Sequence, residues 1–180
     1  MIIGVTGSFG SGKTTVASMF RRLGACVVDA DRVCYSLMAP GKGVYRKIVR
    51  HFGKAILKKD RSIDRKKLGE IVFKSRVKLN SLNKIVHPEA VKSINKMICA
   101  KKNRVVVVDA PLLVESGYYK KMDKLIVVRS SRKQSDTLGI IRMQAPLKKK
   151  LALADFIIDN SGSKTKTLLQ VRKIWKRMGV

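Results

Sequence analysis

Acidic residues are scarce in this sequence, and their scarcity is its most unusual property. The 180 residues include 12 Asp and Glu against 40 Lys and Arg, which gives a formal net charge of +28. Such a balance attracts polyanions, both nucleic acids and small phosphorylated metabolites. Because the lysines are scattered along the whole chain, including the run Lys148 to Lys150, we interpret them as a diffuse solvated surface that does not by itself specify a partner.

Other absences exclude whole classes of protein. No apolar stretch approaches the roughly 18 residues of a membrane span, and residues 1–6 have neither the basic start nor the long apolar core of a signal peptide. Helix-turn-helix, RNP-type aromatic and zinc-ligand patterns are also missing. We therefore expect a cytoplasmic protein with no membrane partner and no specific nucleic-acid partner; the sequence does not indicate the oligomeric state.

The three cysteines, Cys26, Cys34 and Cys99, show neither paired nor metal-binding spacing. An odd number of unpaired cysteines is typical of reduced thiols in a cytosol. We expect them to have packing roles.

Short runs rich in Ile and Val alternate with helical segments along the chain, at residues 1–6, 25–29, 104–109, 124–128 and 156–159. Their hydrophobicity is continuous rather than alternating, which is typical of strands covered on both faces. This pattern predicts an α/β fold, with a five-stranded parallel sheet between two layers of helices.

Residues 40–103 have helical periodicity and contain no convincing strand. We interpret them as a helical insertion that covers a substrate, within one domain whose nucleotide-binding core is formed by residues 1–39, 104–128 and 150–180. Asp64 is predicted to cap a helix that has Arg65 in its first turn, and Pro88 to lie in the first turn of a new helix after His87.

The last helix is predicted at residues 164–178. Trp175 lies on its apolar face, and we interpret it as a core anchor rather than a base-stacking platform.

A Gly-rich segment matches G-x-x-x-x-G-K-[ST] in full, with the residues Gly7, Ser8, Phe9, Gly10, Ser11, Gly12, Lys13 and Thr14. A strand precedes it and a helix that includes Thr15 follows, which is the context that this motif, the P-loop, requires. Glycines let backbone N–H groups turn towards phosphate oxygens, the Lys13 ammonium reaches the β and γ phosphates, and the Thr14 hydroxyl can bind Mg²⁺. The motif predicts an ATP site.

Carboxylates follow the second and third predicted strands. Asp31 comes shortly after the second, and Asp109 ends the third. The carboxyl ends of parallel strands line one crevice, so Asp109 is a candidate Mg²⁺ ligand and Asp31 is a candidate to accept or orient the proton of an acceptor hydroxyl. The alternative for each is a carboxylate that caps the following segment.

Beyond the P-loop, the chain resembles the dephospho-coenzyme A (dephospho-CoA) kinase family over nearly its whole length. The resemblance is carried, in the family's order, by Ile3-Gly4-Val5-Thr6-Gly7, Asp29-Ala30-Asp31, Phe52-Gly53, Ile63-Asp64-Arg65, His87-Pro88, Asp109-Ala110-Pro111-Leu112-Leu113-Val114-Glu115 and Ala154-Asp155-Phe156-Ile157-Ile158-Asp159-Asn160. It implies a three-layer P-loop kinase that phosphorylates the ribose 3′-hydroxyl of dephospho-CoA with ATP and Mg²⁺.

The resemblance also implies roles for individual residues. Asp31 matches a base beside the acceptor hydroxyl, and the other residues expected around the acceptor are Arg65, His87, Leu112, Leu113 and Glu115. Asn160 and Gly162 match a loop that contacts adenine through its backbone. The family's lid is shortened here to residues 129–149, where Arg129, Arg132 and Arg142 are available to clamp phosphates; of these, Arg142 is our candidate nucleotide ligand.

Two alternatives stay open. The P-loop and the sheet do not identify the acceptor, so a nucleoside or nucleotide kinase of the same fold is possible. The net charge allows a nucleic-acid-binding protein that uses ATP as a switch.

The basic field and the short lid together predict salt-sensitive ATP binding. Attraction between exposed charges weakens as the Debye length falls from about 10 Å at 0.1 M salt to about 3 Å at 1 M. We expect the KM for ATP, measured by ADP release, to rise steeply over this range. A KM that stays flat would contradict a role for the field in capturing ATP.

Overall fold

The structure is a computed structural model that describes residues 1–101, 104–131 and 140–180. The strands are β1 (Ile2–Gly7), β2 (Cys26–Asp29), β3 (Val106–Asp109), β4 (Lys124–Arg129) and β5 (Phe156–Asp159). The α-helices are α1 (Lys13–Arg22), α2 (Ala30–Leu37), α3 (Gly43–Phe52), α4 (Arg65–Val72), α5 (Arg76–Cys99), α6 (Ile140–Met143), α7 (Leu147–Ala152) and α8 (Lys164–Arg177). Short 3₁₀ helices occupy Lys54–Ile56 and Tyr118–Lys121.

The five strands form one parallel sheet in the order β2-β3-β1-β4-β5. The predicted α/β fold and its five parallel strands are confirmed. The order places β1 at the centre, between β3 and β4: the connection from β1 runs to β2 on one side, and the connection from β3 crosses to β4 on the other. Such a reversal is where open α/β sheets bind their ligands, at the carboxyl ends of the strands.

The chain divides into two compact units. Within the described residues, the first contains the sheet and comprises residues 1–29, 97–131 and 144–180, while the second comprises residues 30–96 and 140–143. The second unit therefore begins with α2, a helix that the sequence analysis did not predict. The helical insertion was predicted to begin at residue 40, ten residues later.

The core of the first unit lies between the sheet and helices α1 and α8. Its buried apolar side chains include Ile3, Val5, Phe20, Val107, Ile126, Ile158 and Val171. Trp175 packs on this cluster with its ring centroid 6.1 Å from that of Phe20. Its predicted role as a core anchor is confirmed.

The second unit has a core of its own, formed by Val44, Ile48, Ile56, Ile63, Leu68, Val72 and Val86. The predicted N-cap of α4 is confirmed, since the Asp64 carboxylate accepts from the backbone N–H groups of Lys66 at 3.0 Å and Lys67 at 3.2 Å. These bonds satisfy two of the donors that a helix start leaves without a partner.

The predicted helix start at Pro88 is wrong, because α5 runs without interruption from Arg76 to Cys99 with Pro88 inside it. Proline removes one helical hydrogen bond, the one that would reach the carbonyl of Lys84. Both Lys84 and Pro88 are exposed, so water can satisfy that carbonyl, and apolar packing on the opposite face keeps the helix continuous.

Among the residues that the structure describes, none of the helices combines the length and the apolar character that a membrane crossing requires.

Pro88→Ala should stabilise the fold. Alanine restores a backbone donor in the middle of α5 and removes the clash of the proline ring, worth about 1 to 3 kcal/mol at an exposed helix position. Urea unfolding followed by circular dichroism measures the change, with Lys92→Ala, one turn further along and also exposed, as the control. A destabilised Pro88→Ala variant would mean that the proline shapes the helix.

Candidate active site

The P-loop, residues 7–14, connects the central strand β1 to α1. Gly12, at the N-cap of α1, has a left-handed φ of 85°, and a Cβ there would collide with the side-chain amide of Asn160. A Cβ on Gly7 would collide with the carbonyl of Val128 on β4. Both positions therefore require glycine, and the motif keeps the loop close against its neighbours.

The N-terminus of α1 has the features of an anion-binding site. Its first turn contains no acidic residue, and its N-cap offers no side-chain hydrogen bond. The first N–H groups of a helix have no acceptor within the helix, and the helix dipole adds partial positive charge at this end. Thr14 and Thr15 are exposed in this first turn. Phosphate oxygens are the ligands that such a site accepts.

Two further observations within the P-loop test whether a polyphosphate fits. The Ser11 hydroxyl is buried and has no hydrogen-bond partner among the described residues, which is uncommon for a buried polar atom. The Lys13 ammonium donates to the carbonyl of Ser8 at 2.9 Å, which keeps its charge at the loop. The residues present fit a nucleotide phosphate chain.

Asn160 holds the P-loop from the side of α8. Its Nδ2 donates to the carbonyl of Ser11 at 3.0 Å, and its Oδ1 accepts from the hydroxyl of the fully buried Thr167 at 2.9 Å. Its backbone N–H donates to the carbonyl of Arg129 at 2.8 Å. The expected adenine contact through Asn160 and the exposed Gly162 stays a prediction, whereas this side-chain role was not predicted.

Asp109 ends β3 at the edge of the sheet where the P-loop begins. It is 6% exposed, and the strand register pairs it with Val5 of β1 and with Asp29 of β2. Neighbouring strands lie about 4.8 Å apart, so Asp29 and Asp109 are side by side. Within the described ranges no group of three or more His, Cys, Asp or Glu side chains could hold a metal ion.

Three of the residues expected around the acceptor belong to the second unit. Asp31 lies in the first turn of α2. The guanidinium carbon of Arg65 lies 4.1 Å from the ring centroid of Tyr35, also on α2. Burial lowers the pKa of His87, on α5, below its ordinary value, so its imidazole is neutral at neutral pH.

The three residues of the loop after β3 that are predicted to contact the acceptor have different environments. Leu112 is partly exposed. Leu113 is 1% exposed and packs towards Gly4 of β1, so the structure gives its side chain a packing role. The side chain of Glu115 is 18% exposed and ion-paired with Lys150.

The sequence analysis missed the environment of Lys150. We interpreted it as part of a solvated surface, and that interpretation is wrong for this residue, which is 0% exposed. Its ammonium lies 2.8 Å from Glu115 Oε1 and donates to the carbonyl of Pro111 at 2.8 Å. No local pattern distinguishes it from the exposed Lys148 and Lys149.

Comparison with known proteins decides the family. A family model described as dephospho-CoA kinase matches residues 1–166. The chain belongs to the dephospho-CoA kinase family. A dephospho-CoA kinase from Aquifex aeolicus is 41% identical over 189 residues, with 98% of this chain and 96% of that protein covered. One from Carboxydothermus hydrogenoformans is 41% identical, with 97% and 94% covered. A solved dephospho-CoA kinase from Campylobacter jejuni has a TM-score of 0.73 at 30% identity, with 98% and 96% covered.

In this member of the dephospho-CoA kinase family, the arginines of the predicted lid have different environments. Arg129 ends β4 and is ion-paired with Asp159 at 3.0 Å. The Ser161 hydroxyl, followed by its backbone N–H and by Arg129, lowers the pKa of Asp159. Arg142 lies exposed on α6, and Arg132 lies outside the described residues. The clamp role of Arg142 and the shortened lid stay predictions.

Gly12→Ala should weaken nucleotide binding. Alanine is strained at a left-handed φ by about 1 to 2 kcal/mol, and its methyl group would push Asn160 away from Ser11. We expect the affinity for a fluorescent ADP analogue to fall at least about tenfold. Gly43→Ala, at the start of α3 with open space around the new methyl group, is the control, and unchanged affinity in Gly12→Ala would contradict the assigned geometry.

Proposed function

We propose that this chain transfers the γ-phosphoryl group of ATP to the ribose 3′-hydroxyl of dephospho-CoA, giving CoA and ADP. The observation that carries the proposal is the P-loop, where glycines allow close packing against Val128 and Asn160 and the helix end has no competing acid. Because the fold alone supports many acceptors, membership of the family is what favours this acceptor over a nucleoside or nucleotide.

The P-loop would supply most of the electrostatic stabilisation. N–H groups at the start of α1 would bind the β and γ phosphates, and Lys13 would turn from the carbonyl of Ser8 to their oxygens. We therefore assign nucleotide binding to residues 7–15 and a catalytic role to Lys13, which would neutralise charge on the phosphoryl group in transfer. Asn160, Gly162 and Arg142 complete the proposed nucleotide site.

We also propose that Thr14 and Asp109 hold Mg²⁺. The ion, when bound, neutralises charge on the β- and γ-phosphate oxygens. Hydroxyl and carboxylate oxygens suit this hard cation, which keeps waters and substrate phosphates as its other ligands and so needs few protein groups. The near-complete burial of Asp109 limits the water that competes for its carboxylate.

For the acceptor, we propose that Asp31 accepts or orients the proton of the 3′-hydroxyl while the oxygen of that hydroxyl attacks the γ-phosphorus and ADP leaves. The guanidinium carbon of Arg65 lies over the ring of Tyr35, a cation–π contact that would help to hold the guanidinium in place for acceptor phosphates. The neutral imidazole of His87 can both donate and accept a hydrogen bond. Leu112, Leu113 and Glu115 stay candidates for acceptor contact.

A cytoplasmic location belongs to the same proposal. All three cysteines, including the exposed Cys99, are thiols outside any disulfide among the described residues. Free thiols suit a reducing compartment. Fractionation of the producing cells tests this directly.

A turnover panel tests the proposed acceptor. The purified protein is incubated with ATP, Mg²⁺ and, separately, dephospho-CoA, adenosine, cytidine and nucleoside monophosphates, and ADP release is followed. We expect turnover with dephospho-CoA alone. Turnover confined to a nucleoside or a nucleoside monophosphate would overturn the proposal.

Asp31→Asn should lower kcat much more than it changes ATP affinity. The amide keeps the size of the carboxylate but cannot take the proton, and removing general-base assistance typically costs about 100-fold or more. Steady-state kinetics with dephospho-CoA measures kcat, and a fluorescent ADP analogue measures binding. Asp60→Asn, in an exposed loop of the same unit, is the control. An unchanged kcat in Asp31→Asn would reject the role.

A further inference from the structure

Lys150 is the one lysine or arginine that is fully buried among the residues described by the structure. It lies in α7 of the first unit, and its side chain is buried against the start of the P-loop. An ammonium group has three donors and no acceptor. Glu115 at 2.8 Å, the carbonyl of Pro111 at 2.8 Å and the carbonyl of Gly7 at 3.4 Å provide three partners for them.

Burial of a charged group carries a large desolvation penalty, and a well-packed apolar pair of similar volume is often equally stable. Stability alone therefore does not account for the burial of Lys150 beside Glu115, whose side chain is 18% exposed. Compared with apolar packing, the pair adds geometric specificity, because each hydrogen bond holds a particular backbone or side-chain oxygen at a defined position.

The partners of Lys150 belong to two parts of the site. Gly7 is the first residue of the P-loop, which carries Thr14. Pro111 lies two residues after Asp109, and its carbonyl also accepts from the hydroxyl of Thr6 at 3.2 Å. Lys150 therefore ties the entry of the P-loop to the loop that follows β3.

The segment leading into α7 is attached at the same place. The backbone N–H of Ala145 donates to Glu115 Oε1 at 2.9 Å, and the side-chain oxygen of Gln144 accepts from the N–H of Phe9 in the P-loop at 3.0 Å. Residues 144–150 thus contact the P-loop at Phe9 and Gly7, and the loop after β3 at Pro111 and Glu115.

We propose that Lys150 is a positioning residue for phosphoryl transfer: with Glu115, it fixes the distance between the P-loop and the end of β3, and so between Thr14 and Asp109. It does not contact the nucleotide or the acceptor itself. The inference rests on the proposed function, since it concerns the Mg²⁺–nucleotide geometry of that site.

The experiment compares Lys150→Met, which keeps the length and removes the charge, with the double variant Lys150→Met/Glu115→Gln, which removes both charges. The single variant leaves the Glu115 carboxylate without its cation and is expected to be less stable. The double variant relieves that penalty, so it reports on positioning even where the single variant folds poorly. Lys176→Met, an exposed lysine of α8 in the same unit, is the matched control for loss of one charge.

Two readings are taken: kcat with dephospho-CoA, and the affinity of a fluorescent ADP analogue with and without Mg²⁺. We expect the double variant to melt close to wild type, to lose the tightening of the analogue by Mg²⁺, and to show a kcat reduced on the order of 100-fold, as for a small misplacement of reacting groups. Lys176→Met should match wild type in both. Because Glu115 is itself a candidate acceptor contact, the Mg²⁺ effect decides: a folded double variant with the wild-type Mg²⁺ effect would overturn the proposal, whatever its kcat. The analogue needs no acceptor, so this result is read independently of whether dephospho-CoA is the substrate.

Discussion

Phosphate binding requires a set of backbone N–H donors that no acidic side chain occupies, and the first unit is arranged around this constraint. A loop with that property cannot hold itself in place with carboxylates of its own. It is held instead through its carbonyl groups, by Asn160 at Ser11 and by Lys150 at Gly7, with Lys13 bound to Ser8. The two glycines that permit this close approach, Gly7 and Gly12, have no room for a side chain.

Local patterns in the sequence were sufficient to predict the parts of the fold that depend on local physics. Continuous Ile and Val runs predicted all five strands, because a strand buried on both faces has no polar positions. The Asp64 cap was predicted because a helix start needs a side-chain acceptor within three residues. The P-loop was predicted because its chemistry demands particular residues at fixed spacing.

The features that the sequence did not reveal depend on partners distant in the chain. Lys150 meets Gly7 across 143 positions, and nothing in the run of three lysines indicates which one turns inward. The continuity of α5 through Pro88 depends on solvent at one carbonyl and on packing opposite it, so the local rule that proline begins a helix gave the wrong boundary. The bond from Asn160 to Ser11 likewise depends on how β5 lies beside the P-loop. Roles for Arg65 and His87 came from family resemblance, since each is an ordinary helix residue by its local pattern.

The identity of the product tests the central claim most directly. Dephospho-CoA is incubated with ATP, Mg²⁺ and the purified protein, and the product is examined by ³¹P and ¹H NMR. The account predicts a single new phosphomonoester whose phosphorus couples to the ribose 3′ proton, formed in equal amount with ADP. A phosphate at any other position, or ADP formed without a phosphorylated acceptor, would contradict it.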